Sequence, residues 1–559
     1  MPLDTAVTAW GRTLCACVLV TGLGIAACGD PADNAAPSAP NPDSLLPTPS
    51  RPAPNWNCGS RCWHEEGVPD EIVDAFESTV DNVELQPQLV YPLDGSVHPI
   101  NLQTITFQFR RGDETQRWFN IRLSALSGSS PRSYNFILPC QAPPHATTTD
   151  TTAAAIDRCV YDIPSDMWRS IAEDHAGKTV RVSVGSMESA SGPVHRSADY
   201  SFSFSDTAIS GGFYYWSTAL GGTYRLPFGA TQAVPWIAPG TASNPSACGG
   251  CHAVSRDGSV IAFTSDAAAG FLQVSDAADP THKRIASEGT RNSSMLALNR
   301  TGSRVLVAFD GRLTLRDTRE GSVLAEADET LFGDGRTAYF PEFSADDREV
   351  VVTLSDAPDS FWSVVTGEIA ILPIAGDEFG EPRVIASSAD EVLFYPSWSP
   401  NGEWILFASA PLFSLSYDQP NARLRVVHRD GGRIYDLDNA TQGVGNTSTL
   451  PKFAPFVQAD GSMFFTFNSK LDYGFLLENS AQATAAERLP QLWLSLFDPQ
   501  RIDQEDPSSA PVWLPFQSVD QRNHLGLWTE RVSCGEGNEQ VSVCGPGEIC
   551  IDNSCRVLR

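Results

Sequence analysis

Alternating hydrophobic and polar residues predict short β-strands between residues 85 and 206. The segments TITFQFRRG, RWFNIRLSAL, TVRVSVGSME and DYSFSFSD alternate with period two, and turn-forming residues separate them. This pattern favours an antiparallel β-sandwich. The stretch PSDMWRSIAEDH, which lacks the alternation, predicts a short helix that connects strands of the sandwich.

Residues 211–532 repeat a pattern of strand, turn and strand. Five segments align on their turns: CHAVSRDGSVIAFTS, MLALNRTGSRVLVAF, FPEFSADDREVVVTL, YPSWSPNGEWILFAS and APFVQADGSMFFTF, beginning at Cys251, Met295, Phe340, Tyr395 and Ala454. Most of the turns pair Asp or Asn with Gly, which tolerates the positive φ of a tight hairpin. Their spacing, roughly 45 to 60 residues, is that of propeller blades.

The two ends of the repeat region together predict a sixth blade. Three strands are expected in GGFYYWSTALGGTYRLPFGATQAVPWIAP, and one more in NHLGLWTERV near the C-terminus. Joining them closes the ring and removes exposed sheet edges. The expected fold is therefore all-β, a six-bladed β-propeller over 211–532 preceded by a β-sandwich over 85–206.

Two segments resemble known families. YPSWSPNGEWILFAS resembles the WD-like repeat of TolB-type six-bladed propellers of the bacterial envelope, and this resemblance extends over residues 211–532. VYPLDGSVHPINLQTITFQF resembles the start of an immunoglobulin-like or fibronectin-like module. The first resemblance implies a propeller of the cell envelope; it is specific for fold and much less so for function.

The N-terminus carries an export signal. Arg12 precedes the apolar run LCACVLVTGLGIAAC, which is too short for a permanent membrane-spanning helix. Its end resembles a bacterial lipobox, which implies that residues 1–28 are a lipoprotein signal and that Cys28 is lipidated; an ordinary cleaved signal peptide is the alternative. Residues 29–84, rich in Pro at the start, predict a tether with a small cysteine loop.

Ten cysteines remain after the signal and Cys28, and they occur in even-numbered groups. In an exported chain such groups favour disulfides. We expect Cys58 to pair with Cys62 and Cys140 with Cys159. Residues 533–559 predict a small disulfide-rich tail containing Cys534, Cys544, Cys550 and Cys555, for which a zinc site is the alternative.

The net charge of the chain indicates which classes of partner are disfavoured. Lys and Arg total 38 against 67 Asp and Glu, a formal net charge of -29. This acidic surface disfavours nucleic acid and anionic lipid headgroups. The expected membrane attachment is therefore through the lipid anchor only.

The remaining cysteine pair carries the candidate chemistry. Cys248, Cys251 and His252 have the Cys-x-x-Cys-His spacing of c-type haem attachment. Two thiols at this spacing form thioethers to the haem vinyl groups, and the adjacent imidazole binds the iron. Alignment on the turns places His252 where other copies have Pro341, Pro396 and Pro455, with Leu296 in the remaining copy, so the repeat itself does not require a histidine.

Two residues are candidates for the second axial ligand of the iron. Met295 begins the inner strand of the next blade, and His524 lies near the start of an inner strand on the preceding side. For both Met295 and His524 the alternative is a purely structural role. If the iron has no second ligand, peroxide or small-ligand chemistry is favoured instead.

The sequence supports a principal function and two alternatives. The principal hypothesis is an exported, lipid-anchored envelope protein with haem c that transfers electrons to a redox partner or other envelope protein. The first alternative is a non-enzymatic scaffold that binds protein, peptide or glycan, with Cys248 and Cys251 in a disulfide. A thiol redox pair is a separate interpretation of the two cysteines, but the thioredoxin-like βαβ surroundings are lacking. The second alternative is a haem enzyme. The chain has no Gly-x-Ser-x-Gly elbow, phosphate loop or dinucleotide fingerprint.

Overall fold

A computed structural model shows an all-β protein with a few short helices. It describes residues 54–77, 81–82, 84–126, 133–143, 157–228, 230, 232–237, 249–265, 271–278, 283–291, 295–309, 312–333, 335–356, 358–360, 363–442, 447–478, 488–531, and the short stretches 533–534, 542–543, 548–551 and 554–557. The predicted signal, lipidation site Cys28 and first part of the tether lie outside these residues.

The N-terminal region contains two sheets. Its elements are β1 (Cys62–His64), α1 (Asp70–Glu77), β2 (Asp81–Asn82), β3 (Gln88–Tyr91), β4 (Ser96–His98), β5 (Thr106–Arg110), β6 (Trp118–Ala125), β7 (Ser133–Pro139), β8 (Arg158–Asp162), α2 (Ser165–Asp174), β9 (Thr179–Met187), β10 (Val194–Arg196) and β11 (Tyr200–Phe204). One sheet has the order β1-β7-β6-β9-β10-β2, with β11 pairing β9 and β4; the other has the order β3-β5-β8.

The apolar residues of these alternating strands meet in one core. Phe109 of β5 and Phe119 of β6 are fully buried, with ring centroids 5.1 Å apart. The predicted helix is present as α2, and its Trp168 is buried in the same core. The alternation of the sequence therefore predicts which residues point inward.

Residues assigned to the tether by sequence take part in this structure. β1 pairs with β7 in parallel, and α1 packs Ile72, Val73 and Phe76 against the sheet. Burial of one apolar helix face explains why this stretch is ordered. The predicted disulfides Cys58–Cys62 and Cys140–Cys159 are confirmed.

The rest of the chain forms a series of antiparallel meanders. Their strands are β12 (Gly212–Ser217), β13 (Gly222–Pro227), β14 (Val234–Ile237); β15 (Gly249–Val254), β16 (Val260–Ser265), β17 (Phe271–Asp276), β18 (Lys283–Arg291); β19 (Met295–Leu298), β20 (Arg304–Phe309), β21 (Arg312–Asp317), β22 (Val323–Ala327), followed by α3 (Glu329–Phe332). The chain continues with β23 (Thr337–Phe343), β24 (Glu349–Ser355), β25 (Pro358–Ser360), β26 (Ser363–Val364), β27 (Glu368–Ala375), β28 (Glu378–Phe379), β29 (Arg383–Ala386); β30 (Glu391–Trp398), β31 (Trp404–Pro411), β32 (Arg423–His428), β33 (Ile434–Asp436); β34 (Thr449–Phe453), β35 (Met463–Ser469), α4 (Phe475–Glu478), β36 (Gln491–Phe497), β37 (Val512–Trp513) and β38 (Asn523–Thr529).

Within the described residues these strands make six sheets of a propeller-like ring. The first ring sheet is β14-β13-β12-β38; the second is β15–β18 and the third β19–β22. The fourth is β23-β24-β27 with β28 and β29, the fifth β30–β33 and the sixth β34–β37. The inner strands β38, β15, β19, β23, β30 and β34 each contact the inner strands of the two neighbouring sheets. Pairing of β12 with the C-terminal β38 joins the ends of the ring.

Both faces of a ring sheet are buried, which explains its long apolar runs. On β24, Val350 and Val352 pack with the third sheet, whereas Val351 packs with the fifth. Alternation therefore assigns each residue to one of two apolar interfaces rather than to core or solvent. The face to which an inner-strand side chain points can therefore be identified from the hydrophobic cluster that its cross-strand partner joins.

The structure corrects the alignment of the fifth repeat. The inner strand is β34, which ends at Phe453, so Ala454 and Pro455 lie after it rather than within it. The following turn is longer than in the other copies: the Ala454 N–H donates to the Phe464 carbonyl, and the Gln458 N–H donates to the Ser462 carbonyl. Counting back from the turn glycine by the interval of the other copies therefore ends within the turn, before the strand is reached. Pro451 takes the place expected for Pro455.

The N-terminal region packs against the sixth ring sheet. The Gln108 side chain donates to the Tyr473 carbonyl at 2.9 Å and accepts from the Phe475 N–H at 2.8 Å. The rings of Tyr91 and Tyr473 lie edge to face with centroids 4.8 Å apart. These buried contacts join the two regions.

The C-terminal tail contains two strand pairs. β39 (Ser533–Cys534) pairs with β40 (Ser542–Val543), and β41 (Glu548–Ile551) pairs with β42 (Ser554–Val557). Cys544 lies outside the described residues, as do the side chains of Cys534, Cys550 and Cys555. Among the helices that the structure describes, none is long and apolar enough to cross a membrane.

Candidate functional site

Five of the six inner strands, all but the described part of β19, have a β-bulge near the end of the ring at which they begin. We call this end of the ring the mouth. Four bulges start with a bulky residue at positive φ: Phe340, Tyr395, Leu450 and Leu525. The rings of Phe340 and Tyr395 are buried with centroids 4.2 Å apart. Large side chains from two neighbouring bulges therefore pack against each other near the mouth.

The motif lies in the corresponding bulge of β15. The register shifts between Gly249 and His252, so that Gly250 and Cys251 are the two bulge residues. Gly250 takes the place of the bulky residues, and Cys251 that of Pro341, Pro396 and Pro451. Cys248 and the side chain of Cys251 lie outside the described residues.

His252 is the motif residue whose side chain is described. It is only 3% exposed and pairs across the hairpin with Phe263. Phe263 packs in an apolar cluster with Tyr214, Trp236 and other residues of the first ring sheet. Because cross-strand partners share a face, His252 lies on the face of β15 that meets the first ring sheet.

His524 lies on the opposite side of that same interface. It is buried in β38 and pairs with Trp216, with ring centroids 5.6 Å apart. Trp216 is two residues from Tyr214 on β12 and therefore shares the face that Tyr214 presents to the second ring sheet. His252 and His524 thus belong to facing sides of one interface, both near the mouth.

The environment of His524 favours the neutral imidazole. Burial, together with the charges of Arg522 and Lys470, lowers its pKa to about 3. The Tyr417 hydroxyl oxygen lies 3.2 Å from Nδ1 and 3.3 Å from Nε2. A neutral ring retains one nitrogen lone pair, which metal ligation requires.

Met295 lies on the other face of its sheet. It begins β19 and pairs with Ala308, which packs in the cluster between the third and fourth ring sheets. Its neighbour Leu296 is the residue that faces the second ring sheet. The structure therefore brings His524, but not Met295, to the face of the interface shared with His252.

Tyr417 comes from a segment that the sequence analysis did not single out. Residues 412–422 connect β31 and β32, and we call them the strap. The strap belongs to the fifth ring sheet, yet Ser416 contacts Ser363 of the fourth-sheet segment at 3.3 Å, and Asp418 pairs with Lys470 after β35 at 2.6 Å. Because the Tyr417 hydroxyl also contacts the His524 ring, the strap spans part of the mouth. The long hairpin connection LFSLSYDQPNA was its sequence signal.

One buried hydrogen-bond donor next to His524 lacks a partner. Among the described residues, this is the Nε1–H of Trp216; the buried hydroxyl of Ser217 also has no partner, but Ser217 is the next residue along β12 and points to the opposite face of the sheet. Haem carries two propionate carboxylates, which accept hydrogen bonds from such donors, and buried polar groups normally have partners. Within the described ranges, no cluster of three or more His, Cys, Asp or Glu could hold a metal ion.

Comparison with known proteins gives no family assignment. No family model and no curated protein matches this sequence. A solved structure from an analysis of two prolyl endopeptidases is similar to it, with 15% identity over 55% of this chain and 41% of that chain, at a TM-score of 0.32. This chain thus spans less than half of that protein.

Two GH74 enzymes are also similar in structure. An ancestral GH74 enzyme is 12% identical over 52% of this chain and 37% of its own, at a TM-score of 0.33. The GH74 enzyme of Niastella koreensis is 12% identical over 46% of this chain and 51% of its own, at 0.31. Sequence identities and TM-scores this low assign no activity or partner to the chain.

Proposed function

We propose that this protein is an exported, lipid-anchored envelope protein that carries a covalent c-type haem for electron transfer. Cys248 and Cys251 are the attachment residues, and His252 is the first axial ligand. The haem lies at the mouth of a six-bladed propeller of the TolB-like type, preceded by an immunoglobulin- or fibronectin-like sandwich. Its partner is a redox protein of the envelope.

The observation that carries this proposal is the position of the motif in the bulge of β15. Corresponding bulges carry Phe340, Tyr395, Leu450 and Leu525, whereas β15 has Gly250 at this position. We infer that the absence of a large side chain there suits the entry of a haem next to Cys251 and His252. The indole N–H of Trp216 would donate to a haem carboxylate.

The attachment chemistry is balanced without an added oxidant. Each cysteine S–H adds across one haem vinyl group; a C–S bond forms, the C=C double bond becomes single, and the thiol hydrogen goes to the other vinyl carbon. The attached iron then supplies one-electron chemistry. His252, which is buried on β15 opposite Phe263, would be the residue that binds the iron.

The test is to produce the protein in a host with periplasmic haem-attachment machinery. We expect haem to remain with the denatured polypeptide after acid-acetone extraction, and a proteolytic peptide containing Cys248 to His252 to carry its mass. The double substitution C248A/C251A should abolish attachment. The matched control C140A/C159A removes a disulfide elsewhere and should retain haem. Wild-type protein without haem would refute the proposal.

A binding scaffold is the second candidate, and the tip of the strap favours it. Phe413 is 73% exposed, and Leu415 beside it is also exposed. Two exposed apolar residues on one loop are typical of contact sites for protein, peptide or glycan. In this alternative Cys248 and Cys251 form a disulfide, so colourless protein with no free thiols would support it.

A further inference from the structure

We propose that the strap presents Phe413 and Leu415 as the docking point for a partner protein with a basic segment, one that places Lys or Arg side chains beside an apolar pocket. This inference rests on the second candidate function, the binding scaffold, and names its class of partner. It does not depend on haem attachment, because the residues concerned lie on the strap rather than on β15.

The Phe413 side chain lies largely in solvent. It is 73% exposed, more than any other large apolar side chain that the structure describes. Leu415, two residues further along, is 40% exposed. A single exposed apolar residue is ordinary on a protein surface, so exposure alone does not indicate a contact site. The backbone and the surroundings of Phe413 supply the further evidence.

The backbone of Phe413 has an unfavourable conformation. Its φ is 62°, in the left-handed region that bulky side chains rarely adopt. Phe340 and Tyr395 also have positive φ, but their side chains are buried, and packing offsets the strain. The exposed ring of Phe413 gains no comparable packing. Backbone strain that does not serve the packing of the fold is typical of functional positions.

The strap is fixed on both sides of its exposed tip. The N–H of Leu412 donates to the Asp390 carbonyl at 2.8 Å. The N–H of Phe413 donates to the Val365 carbonyl at 3.0 Å. The ion pair with Lys470 holds the other end of the strap. An aromatic side chain on a loop that is already fixed loses little entropy on binding, which favours a contact residue.

Two exposed carboxylates lie beside the tip of the strap. One belongs to Asp390, whose carbonyl accepts from the Leu412 N–H. The other belongs to Asp356, which accepts from the hydroxyl of Thr366, the residue after Val365. Within the described part of the chain, neither carboxylate takes part in an ion pair. Unpaired carboxylates around an apolar contact attract Lys and Arg side chains and orient the partner.

The arginines of β32 do not cancel this negative charge. Arg423 and Arg425 are adjacent on one face of the strand, and both pair with Glu391. Both also pair with Asp436. The positive charges of these arginines are therefore already matched by carboxylates other than those beside the tip.

The same features disfavour other occupants of the tip. The chain has a formal net charge of -29, which repels both a second copy and an anionic lipid surface. A sugar site needs polar side chains beside the aromatic ring to bind the sugar hydroxyls, whereas Leu415 is apolar. A basic polypeptide segment fits both the apolar tip and the carboxylates beside it.

The experiment uses the whole protein, with a random peptide library displayed on phage as the probe. We expect the enriched peptides to combine Lys or Arg with aromatic or aliphatic residues. Synthetic copies of these peptides should bind with an affinity that falls as the salt concentration rises, because the carboxylates act through their charge. Isothermal titration calorimetry measures both the affinity and its salt dependence.

The variant F413N tests the anchor residue. Asn tolerates positive φ, so this variant keeps the conformation of the strap and removes the ring. We expect a loss of peptide affinity of about tenfold or more, with the urea midpoint unchanged or higher because the strain is relieved. V323T is the matched control, since Val323 is 47% exposed on β22, and it should retain full affinity. D356N/D390N should weaken binding and reduce its salt dependence.

The outcomes separate this inference from the scaffold function on which it rests. Peptide binding that F413N leaves unchanged, or enriched peptides without basic residues, would overturn the docking point while leaving a scaffold. A lower urea midpoint for F413N would show that Phe413 is structural, and would overturn it too. Self-association or oligosaccharide binding that F413N abolishes would assign the tip to another occupant. A library without any enriched peptide would overturn the inference together with peptide binding by the scaffold.

Discussion

The carboxylate of Asp418 lies 2.6 Å from the ammonium of Lys470, and this ion pair joins the strap of the fifth ring sheet to the sixth. The Lys470 side chain is 7% exposed, so the charge depends on its partner rather than on water. A buried charge without its partner is strongly destabilising. The pair therefore holds the strap across the mouth.

Removing one charge of this pair should loosen the strap. We expect D418N to lower the free energy of unfolding by about 3 kcal/mol, because Lys470 remains buried and unpaired. Urea denaturation measures this loss, and limited proteolysis should show new cleavage within residues 412–422. The double variant D418N/K470M should recover part of the stability. E505Q, which breaks the exposed Arg501–Glu505 pair, is the control and should have no measurable effect.

Gln108 should be necessary for the contact between the N-terminal region and the ring. Its side-chain amide pairs with both the Tyr473 carbonyl and the Phe475 N–H in a buried site. The substitution Q108A leaves these two backbone groups without their partner, which should cost about 2 to 4 kcal/mol. Thermal unfolding measures the change. Q504A on the surface should not shift the transition, and an equally stable Q108A would contradict the role of this contact.

Stability should fall in mild acid because of His98. Burial lowers its pKa from the ordinary 6.5 to about 3, and its ring is surrounded by Trp168, Phe202 and Phe204. The unfolded chain therefore binds a proton first, so stability is complete above about pH 6.5 and is lost as the pH falls toward 3. Within that pH window, protonation of His98 makes the free energy of unfolding change by about 1.4 kcal/mol per pH unit.

Denaturant titrations at several pH values measure this slope. H98Q should reduce the slope by about 1.4 kcal/mol per pH unit, the contribution of one proton. It should also lower stability at neutral pH, because the new side chain fits the apolar site poorly. Equal slopes for wild type and H98Q would show that His98 does not cause the acid sensitivity. His195, which is more exposed, offers the comparison variant H195Q.

Filling the bulge of β15 should block haem attachment while preserving the fold. Leu450 and Leu525 already occupy corresponding positions at positive φ, so the ring accommodates leucine there. We expect G250L to reduce the haem content of the purified protein at least tenfold. An unfavourable free energy of about 1.4 kcal/mol at the binding step is enough for a tenfold effect. Haem stain per mole of folded protein is the measurement. Undiminished haem in G250L would mean that this position does not border the haem.

Much of the fold is predictable from local patterns. The segment RWFNIRLSAL contains β6, EIAILPI lies within β27, and QLWLSLFD contains β36, because alternation and flanking turns specify strands locally. The same reasoning predicts that the first and last strands of the ring pair, as β12 and β38 do. It fails at Ala454, where a longer turn shifts the alignment by several residues.

The site is predictable only in part. Cys248, Cys251 and His252 are visible as a candidate motif because their spacing along the chain is that of c-type haem attachment. The strap was missed because its importance depends on what it contacts rather than on its own pattern. The distinction between His524 and Met295 also needed the structure, since each begins an inner strand and sequence position does not specify the face to which a side chain points.

The sequence by itself determined the all-β class, the positions of most strands and the presence of one repeat with two cysteines and a histidine. These properties depend on neighbouring residues along the chain. Only the tertiary structure decided that His252 and His524 face one interface, that Met295 does not, and that Tyr417 lies against His524. Bulges set the face of each side chain, and closure of the ring brings together strands that are distant in sequence, so neither property can be read from local alternation.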